Sequence, residues 1–290
     1  MSCLAQIFLA RLLNIDPCAS DSAWDLHLVA MLQKKGFANR VKQFRPIASL
    51  PVLYKLYSKC LLFMCCDKLD ALQAPQFAFR AGYQGHEVVF ILRNLVEKAL
   101  EWSIPLFVLD GDLEKAYDYT VHSAVVAGLE AKSVPSVLSA AWLREVRRFG
   151  SVFKIDEHVE TKPIRRGRSL LQGDPASPPI FNSTLDLPAA AFCTMAKEQG
   201  WGYPLDDGTK ISLVLFADNF WLFSSGPREL SIMTAAWLEI LKKYGWNVPL
   251  QGQPGAQQGP MITIIGKWKC STNAYRGLRG QLASRFSEYS

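Results

Sequence analysis

A chain of 290 residues, 49% hydrophobic and 20% charged, can bury a sizeable core, which excludes a disordered or fibrous protein. Its formal net charge of +6 is mildly basic and compatible with a polyanionic partner. The seven cysteines (Cys3, Cys18, Cys60, Cys65, Cys66, Cys193 and Cys270) form no CxxC pair and no Cys/His zinc spacing, so neither a zinc knuckle nor a disulfide framework is indicated and a reducing, intracellular setting is expected.

Residues 4–13 are apolar but too short to span a bilayer and carry Gln6 and Arg11, so they read as a helix packed on the core and no membrane association is expected. Residues 52–69 place Leu53, Leu56, Tyr57, Cys60, Leu61 and Met64 at helical spacing, and residues 88–100 repeat the pattern. Pro105 then opens the short apolar run 106–109, bounded by Asp110 and Gly111, which suits a buried strand and puts an acidic cluster at the strand end. Helices are predicted over 123–129, 134–148 and 176–197, with a hairpin of 151–156 and 158–163 around Glu157. The runs 209–216 and 220–224 flank Ala217, Asp218 and Asn219, so a tight turn brings these residues to the tip of a strand-turn-strand. Residues 229–244 read as a helix, 251–260 as a Gly/Gln/Pro-rich loop and subdomain joint, 261–269 as a strand and 273–289 as a helix. Strands interleaved with helices in this way predict a mixed α+β fold; no Gly-rich phosphate loop argues for a doubly wound sheet.

Metal-assisted phosphoryl transfer needs acidic side chains at strand ends, because hard Mg²⁺ prefers carboxylate oxygens. Asp112 and Asp218 are the candidates, and isolated they would read as ordinary turn acids. An ordered set of segments surrounds them: FRPIASLPVLYKLYSKCL (44–61), preceded by AWDLHLVAMLQKKG (23–36), then QFAFRAGYQ (76–84), LFVLDGDLEKAYD (106–118), RRGRSLLQGDPASPPIFN (165–182), LVLFADNFWLFS (213–224) and MITIIGKWK (261–269). Together they resemble, in order, the RPI-containing and Q-x-GFR-x-G fingers segments and motifs A, B, C and E of the reverse transcriptases of non-LTR (LINE-type) retrotransposons. The resemblance runs over about residues 24–286.

That resemblance implies a right-hand polymerase fold with helical fingers, an antiparallel-sheet palm and a truncated thumb. Residues 1–105 are then an N-terminal extension and fingers, 106–250 a palm with motifs A to D, and 251–290 motif E and a partial thumb. The implied activity is RNA-directed DNA polymerisation with an RNA template, a DNA primer and dNTPs, and the implied cofactor is a pair of Mg²⁺ ions for which Mn²⁺ can substitute. Asp112 and Asp218 are the implied metal-binding carboxylates with Asn219 beside them, and the Leu113 carbonyl is a further metal ligand. Tyr117 falls where the family places the aromatic that blocks a ribose 2′-OH, against the bland reading of a core aromatic. Gln172 and Gly173 fall where the incoming sugar and base are met, and Arg80 and Lys55 where phosphates are bound, against the reading of solvated fingers charges. The clusters Arg144, Arg147, Arg148 and Arg165, Arg166, Arg168 could track a duplex through its phosphates or form a solvated basic face, and Asp118 reads as structural.

Three departures from the pattern bear on activity. Asn219 replaces the second motif C aspartate, removing a charge; YGWNVPLQGQ (244–253) lacks the lysine expected after motif D; Ala78 stands where glycine is usual. A catalytically silent relative that binds RNA or an RNA–DNA hybrid is therefore the alternative, and an RNA-dependent RNA polymerase, disfavoured by Tyr117, a third reading. Within these 290 residues no segment is expected to supply the endonuclease modules carried by many relatives. No basic localisation run is visible, so the sequence selects neither nucleus nor cytoplasm, and it implies no oligomeric state.

Overall fold

The computed structural model describes residues 3–15, 26–33, 44–73, 75–148, 150–154, 160–246 and the backbone of 261–265. In chain order the described elements are α1 (Cys3–Leu13), β1 (Leu26–Gln33), β2 (Phe44–Ser49), α2 (Val52–Phe63), α3 (Cys66–Leu69), α4 (Gly85–Trp102), β3 (Leu106–Asp112) and α5 (Ala116–Tyr119). There follow α6 (His122–Ala131), α7 (Ser136–Arg148), β4 (Gly150–Lys154), β5 (Ile164–Arg165), α8 (Ser177–Gln199), β6 (Tyr203–Pro204), β7 (Lys210–Ile211), β8 (Leu213–Phe216), β9 (Asn219–Ser224), α9 (Pro227–Lys243) and β10 (Met261–Ile265). The chain divides into two compact units, 1–71 with 117–185, and 72–116 with 186–290.

In the first unit, four strands form a sheet in the order β2-β1-β4-β5. β1 pairs antiparallel with β2, Ala30 opposite Ile47, and parallel with β4, Leu28 opposite Val152. Neither β1 nor β2 is expected from the sequence as a strand. Pro46 lies in β2, whose position at the sheet edge tolerates a residue with no N–H to donate. The helix expected over 52–69 is two helices: Cys65 (φ −137°, ψ 10°) leaves helical geometry between α2 and α3. Lys154 bridges to Glu160 and β4 pairs with β5, while 161–163 of the expected second strand are not strand; the rest of that expectation, with the turn at Glu157, lies outside the described residues.

α1 docks through charge as well as apolar contact. Arg11, 4% exposed, donates from Nε and Nη2 to the two carboxylate oxygens of Glu145, 1% exposed, at 2.8 and 2.7 Å. Arg144 Nη2 donates to the carbonyls of Arg11 and Leu12 at 2.6 and 3.2 Å, placing a cation at the carbonyl end of α1, where the helix dipole favours it. Arg166 Nε donates to Ser151 Oγ, which lies 3.1 Å from His27 Nε2. Burial, reinforced by the Arg166 charge, pushes the His27 pKa down to about 4, so the ring is neutral at pH 7 and shares a hydrogen bond with the Ser151 hydroxyl.

The second unit is built on an antiparallel sheet in the order β10-β3-β9-β8, beside the two-stranded β6-β7 ribbon. Leu106, Phe107, Val108 and Leu109 are all buried, as befits a strand covered on both faces. One face meets Val88, Leu95 and Ala99 of α4 in a core shared with Tyr203, Val214 and Phe223. Trp237 of α9 packs edge-on against both Phe192 and Phe220. α4 begins with a capping box between Gln84 and Glu87, and α9 with Pro227 at its first turn after Gly226. The expected loop 251–260, the helix 273–289 and the partial thumb lie outside the described residues, apart from β10.

Candidate active site

β3 ends at Asp112. Gly111 just before it is a packing necessity: a β-carbon there would sit 2.2 Å from the Phe220 ring, the residue paired with it on β9. Across the same ladder, Asp112 is opposite Asn219. Phe216 pairs with Asn219 at the end of the β8–β9 hairpin, so Ala217 and Asp218 form a two-residue tip, with Ala217 in the left-handed region at φ 55°. Leu113 N–H donates to the Asp218 carbonyl at 3.0 Å, carrying the β3 contact past the strand end to the hairpin tip. The acids that sequence spacing singles out are thus brought together by register. Asp112 is exposed, and Asp218 and Asn219 are half-buried.

Gln76, which sequence reasoning passed over, is the residue nearest in function to this tip. It is 2% exposed; its Nε2 donates to the Ala217 carbonyl at 3.1 Å, and its Oε1 accepts from the N–H groups of Ala217 at 2.9 Å and Ala78 at 3.0 Å. Phe77 N–H donates to the Leu215 carbonyl and Leu215 N–H to the Pro75 carbonyl, so residues 75–77 run parallel along β8. The Q-x-GFR-x-G resemblance marks the position of Gln76, but an uncharged side chain names no partner, and this one lies 141 residues away. Arg80 belongs to the same segment: Nη1 donates to the Gln76 carbonyl at 3.1 Å, and its guanidinium lies 4.2 Å from the centre of the Tyr83 ring. The left-handed residue here is Phe79 (φ 56°), not Ala78, which explains why alanine is accommodated at the position where glycine is usual.

Asp110 lies two residues before Asp112, on the same face of β3, and burial raises its pKa. Among the described residues no cluster of three or more His, Cys, Asp or Glu side chains forms a self-sufficient metal cage. Two carboxylates and a backbone carbonyl are nevertheless a fitting donor set for a hard cation that takes one or two carboxylates and completes its shell with water and substrate phosphate.

The remaining candidates belong to the first unit. Tyr117 stacks its ring on Phe181, centroids 5.0 Å apart and planes 12° from parallel, and its carbonyl accepts from Leu170 N–H, tying the end of motif A to motif B. Gln172 offers its carbonyl to Ala48 N–H at 2.9 Å. Gly173 has φ 117° and approaches β2 so closely that a β-carbon would lie 2.6 Å from the Ala48 carbonyl oxygen. Lys55 is half-buried in the first turn of α2. Asp174 is a carboxylate the sequence did not single out: at 2% exposure it accepts from Tyr54 Oη (2.8 Å), Trp142 Nε1 (3.0 Å), Ser58 Oγ and Ala176 N–H (3.1 Å). Burial pushes its pKa up, and these hydrogen bonds oppose the rise. Of the basic clusters, Arg144 and Arg166 are turned onto protein acceptors, the exposed Arg147 reaches His122 Nδ1 at 3.5 Å and Arg168 lies over the Tyr119 ring at 4.8 Å, whereas Arg165 is exposed.

No described helix is long and apolar enough to cross a membrane. Residues 32–251 match the family described as reverse transcriptase (RNA-dependent DNA polymerase). The chain is 23% identical over 229 residues to a retrovirus-related Pol polyprotein from the type-1 retrotransposable element R2 of Popillia japonica, covering 78% of this chain and 31% of the relative. It is 25% identical over 160 residues to the transposon TX1 uncharacterized 149 kDa protein of Xenopus laevis, covering 55% of this chain and 12% of that protein. The chain thus spans less than a third of the length of these curated relatives. Among solved structures it resembles the apo telomerase of Candida tropicalis truncated from its C-terminal domain, with a TM-score of 0.62 at 13% identity over 86% of this chain and 51% of the other. A second is the telomerase of Candida albicans in complex with a fragment of telomeric RNA, with a TM-score of 0.55 at 10% identity, covering 92% of this chain and 46% of the other. At that identity the likeness speaks for the fold, in agreement with the α+β polymerase architecture expected from the sequence. With the family match covering most of its length and motifs A, B and C in order, the chain belongs to the reverse transcriptase family, as a domain of the non-LTR retrotransposon kind.

Proposed function

We propose that this chain extends a DNA primer on an RNA template, by in-line attack of the deprotonating primer 3′-OH on the α-phosphate of a dNTP, with the bond to the β-phosphate breaking and pyrophosphate leaving. The observation that carries the reading is the register of the second unit's sheet, which sets Asp112 opposite Asn219 with Asp218 at the adjoining hairpin tip. Asp112, Asp218 and the Leu113 carbonyl would hold two Mg²⁺ ions, or Mn²⁺ in their place. When bound, such ions neutralise phosphate charge and lower the pKa of the attacking hydroxyl. The protein's own contribution is positioning and fixed charge. Tyr117, braced on Phe181, excludes a ribose 2′-OH; Gln172 and Gly173 meet the incoming nucleotide; Arg80 and Lys55 bind phosphate oxygens. Residues 1–105 serve as an N-terminal extension and fingers, 106–250 as a palm with motifs A to D, and 251–290 as motif E and a partial thumb.

Asn219 favours a second reading, a fold whose chemistry has lapsed and which binds RNA or an RNA–DNA hybrid. The amide keeps an oxygen but gives up a charge beside the proposed metal ligands. Primer extension on poly(rA)/oligo(dT) with dTTP and Mg²⁺ or Mn²⁺ separates the two. Extension by the chain as it stands, abolished by Asp112→Ala, supports a working polymerase. Extension only after Asn219→Asp refutes native activity and leaves the binding reading, which then requires salt-dependent hybrid binding unchanged by Asp112→Ala.

A further inference from the structure

The N–H of the first loop residue in a two-residue hairpin has no partner inside the hairpin, and here that residue, Ala217, also sits at positive φ, a conformation that a β-carbon disfavours. Something outside the hairpin must hold it. Gln76 does so from a buried position: one amide group engages both the N–H and the carbonyl of Ala217, and its oxygen is fixed in turn by Ala78 N–H. A hydrogen-bonded run along β8 pins the Gln76 backbone, and Arg80 donates to its carbonyl. From the other side, Leu113 N–H holds the Asp218 carbonyl. The turn is therefore gripped at three consecutive peptide groups.

We infer that Gln76 is the positioning residue of the 217–218 turn: its side-chain amide fixes the backbone that aims the Asp218 carboxylate. Its functional consequence rests on the polymerase reading proposed above; its geometry does not. Removing the amide frees the tip, so Asp218 spends less time in the orientation that holds a cation with Asp112. The divalent-ion requirement rises before overall stability falls.

Two measurements on the full chain test this, with Gln76→Met, Gln76→Glu and, as a control that weakens the same unit elsewhere, Tyr203→Phe, which removes the hydroxyl bonded to the Ile104 carbonyl. Hydrogen exchange resolved to Ala217 comes first. The wild-type amide should be protected about a hundredfold relative to an open loop, Gln76→Met should lose that protection, and Tyr203→Phe should keep it. An Ala217 amide that exchanges freely in the wild type, or stays protected in Gln76→Met, overturns the inference. The second is a Mn²⁺ titration of primer extension, in the wild type or in an Asn219→Asp background if only that is active. The half-saturating concentration should rise about tenfold in Gln76→Met and stay put in Tyr203→Phe. Gln76→Glu, which keeps the acceptor and loses the donor, should fall between. Loosened exchange with an unmoved titration makes Gln76 merely structural and overturns the positioning role. Absence of extension in every background refutes the polymerase reading instead, and exchange alone then decides whether the clamp exists.

Discussion

Two aspartates stand in turns of this molecule and have opposite surroundings. Asp174, in the motif B turn of the first unit, is buried and encircled by donors from Tyr54, Ser58, Trp142 and Ala176. Asp218, at the hairpin tip of the second unit, is half-buried, and the protein grips the backbone around it rather than its carboxylate. A carboxylate with four protein donors is part of the scaffold, whereas one whose peptide groups are clamped is held ready for something else. Motif membership alone does not distinguish them, because both lie in segments that resemble the same family.

Substitutions at the two aspartates give the sharpest break. Asp218→Ala should reduce primer extension by about 10²–10³-fold, the scale of a lost electrostatic partner in a reacting site, while leaving the urea midpoint within error. Asp174→Asn should do the reverse. Turning an acceptor into an NH₂ group against buried donors costs about 2–3 kcal/mol in urea unfolding, with the divalent-ion dependence of the folded protein unchanged. If Asp174→Asn moved the ion titration and Asp218→Ala moved stability, the division of labour would be wrong.

Backbone and pH effects extend the contrast within the first unit. His27, whose folded pKa of about 4 lies below its usual 6.5, adds stability that is fully present above pH 6.5 and is lost as pH falls through 4. The loss amounts to about 3 kcal/mol at most. Unfolding at pH 7 and pH 4 should show it in the wild type and less of it in His27→Gln. Gly173→Ala should cost about 2 kcal/mol, because it combines a disfavoured φ with a clash on the Ala48 carbonyl. The smallest effect expected lies in the second unit, at the exposed Arg93–Glu97 pair on α4: Arg93→Ala should leave the denaturation midpoint unmoved.

Much of the second unit was legible beforehand. The buried run after Pro105, the polar tip between two apolar strands and the amphipathic α4 and α9 follow from local periodicity, and register then brings Asp112 to Asn219. Of the first unit's sheet only β4 was legible, within the strand expected over 151–156; β1, β2 and their pairing were not, for three physical reasons. β2 contains a proline that argues against a strand; β1 exposes Leu26, Leu28 and Leu32 on one face and so lacks clean alternation; and the β1–β4 pairing joins segments more than a hundred residues apart. Gln76 and Asp174 escaped for a related reason. Both lie in segments that resemble the family's motifs, but their roles are set by partners distant in sequence, Ala217 for the one and Tyr54, Ser58 and Trp142 for the other, which the segments themselves do not name.

The Arg11–Glu145 pair also sets a rule for anyone shortening this domain. Cutting away α1 does not simply subtract a peripheral helix; it removes the guanidinium that donates to both Glu145 carboxylate oxygens and the two carbonyls that accept from Arg144, so the loss falls on α7 as well. A trimmed version should therefore carry a leucine in place of Glu145, so that the deletion and the point change are made as one edit.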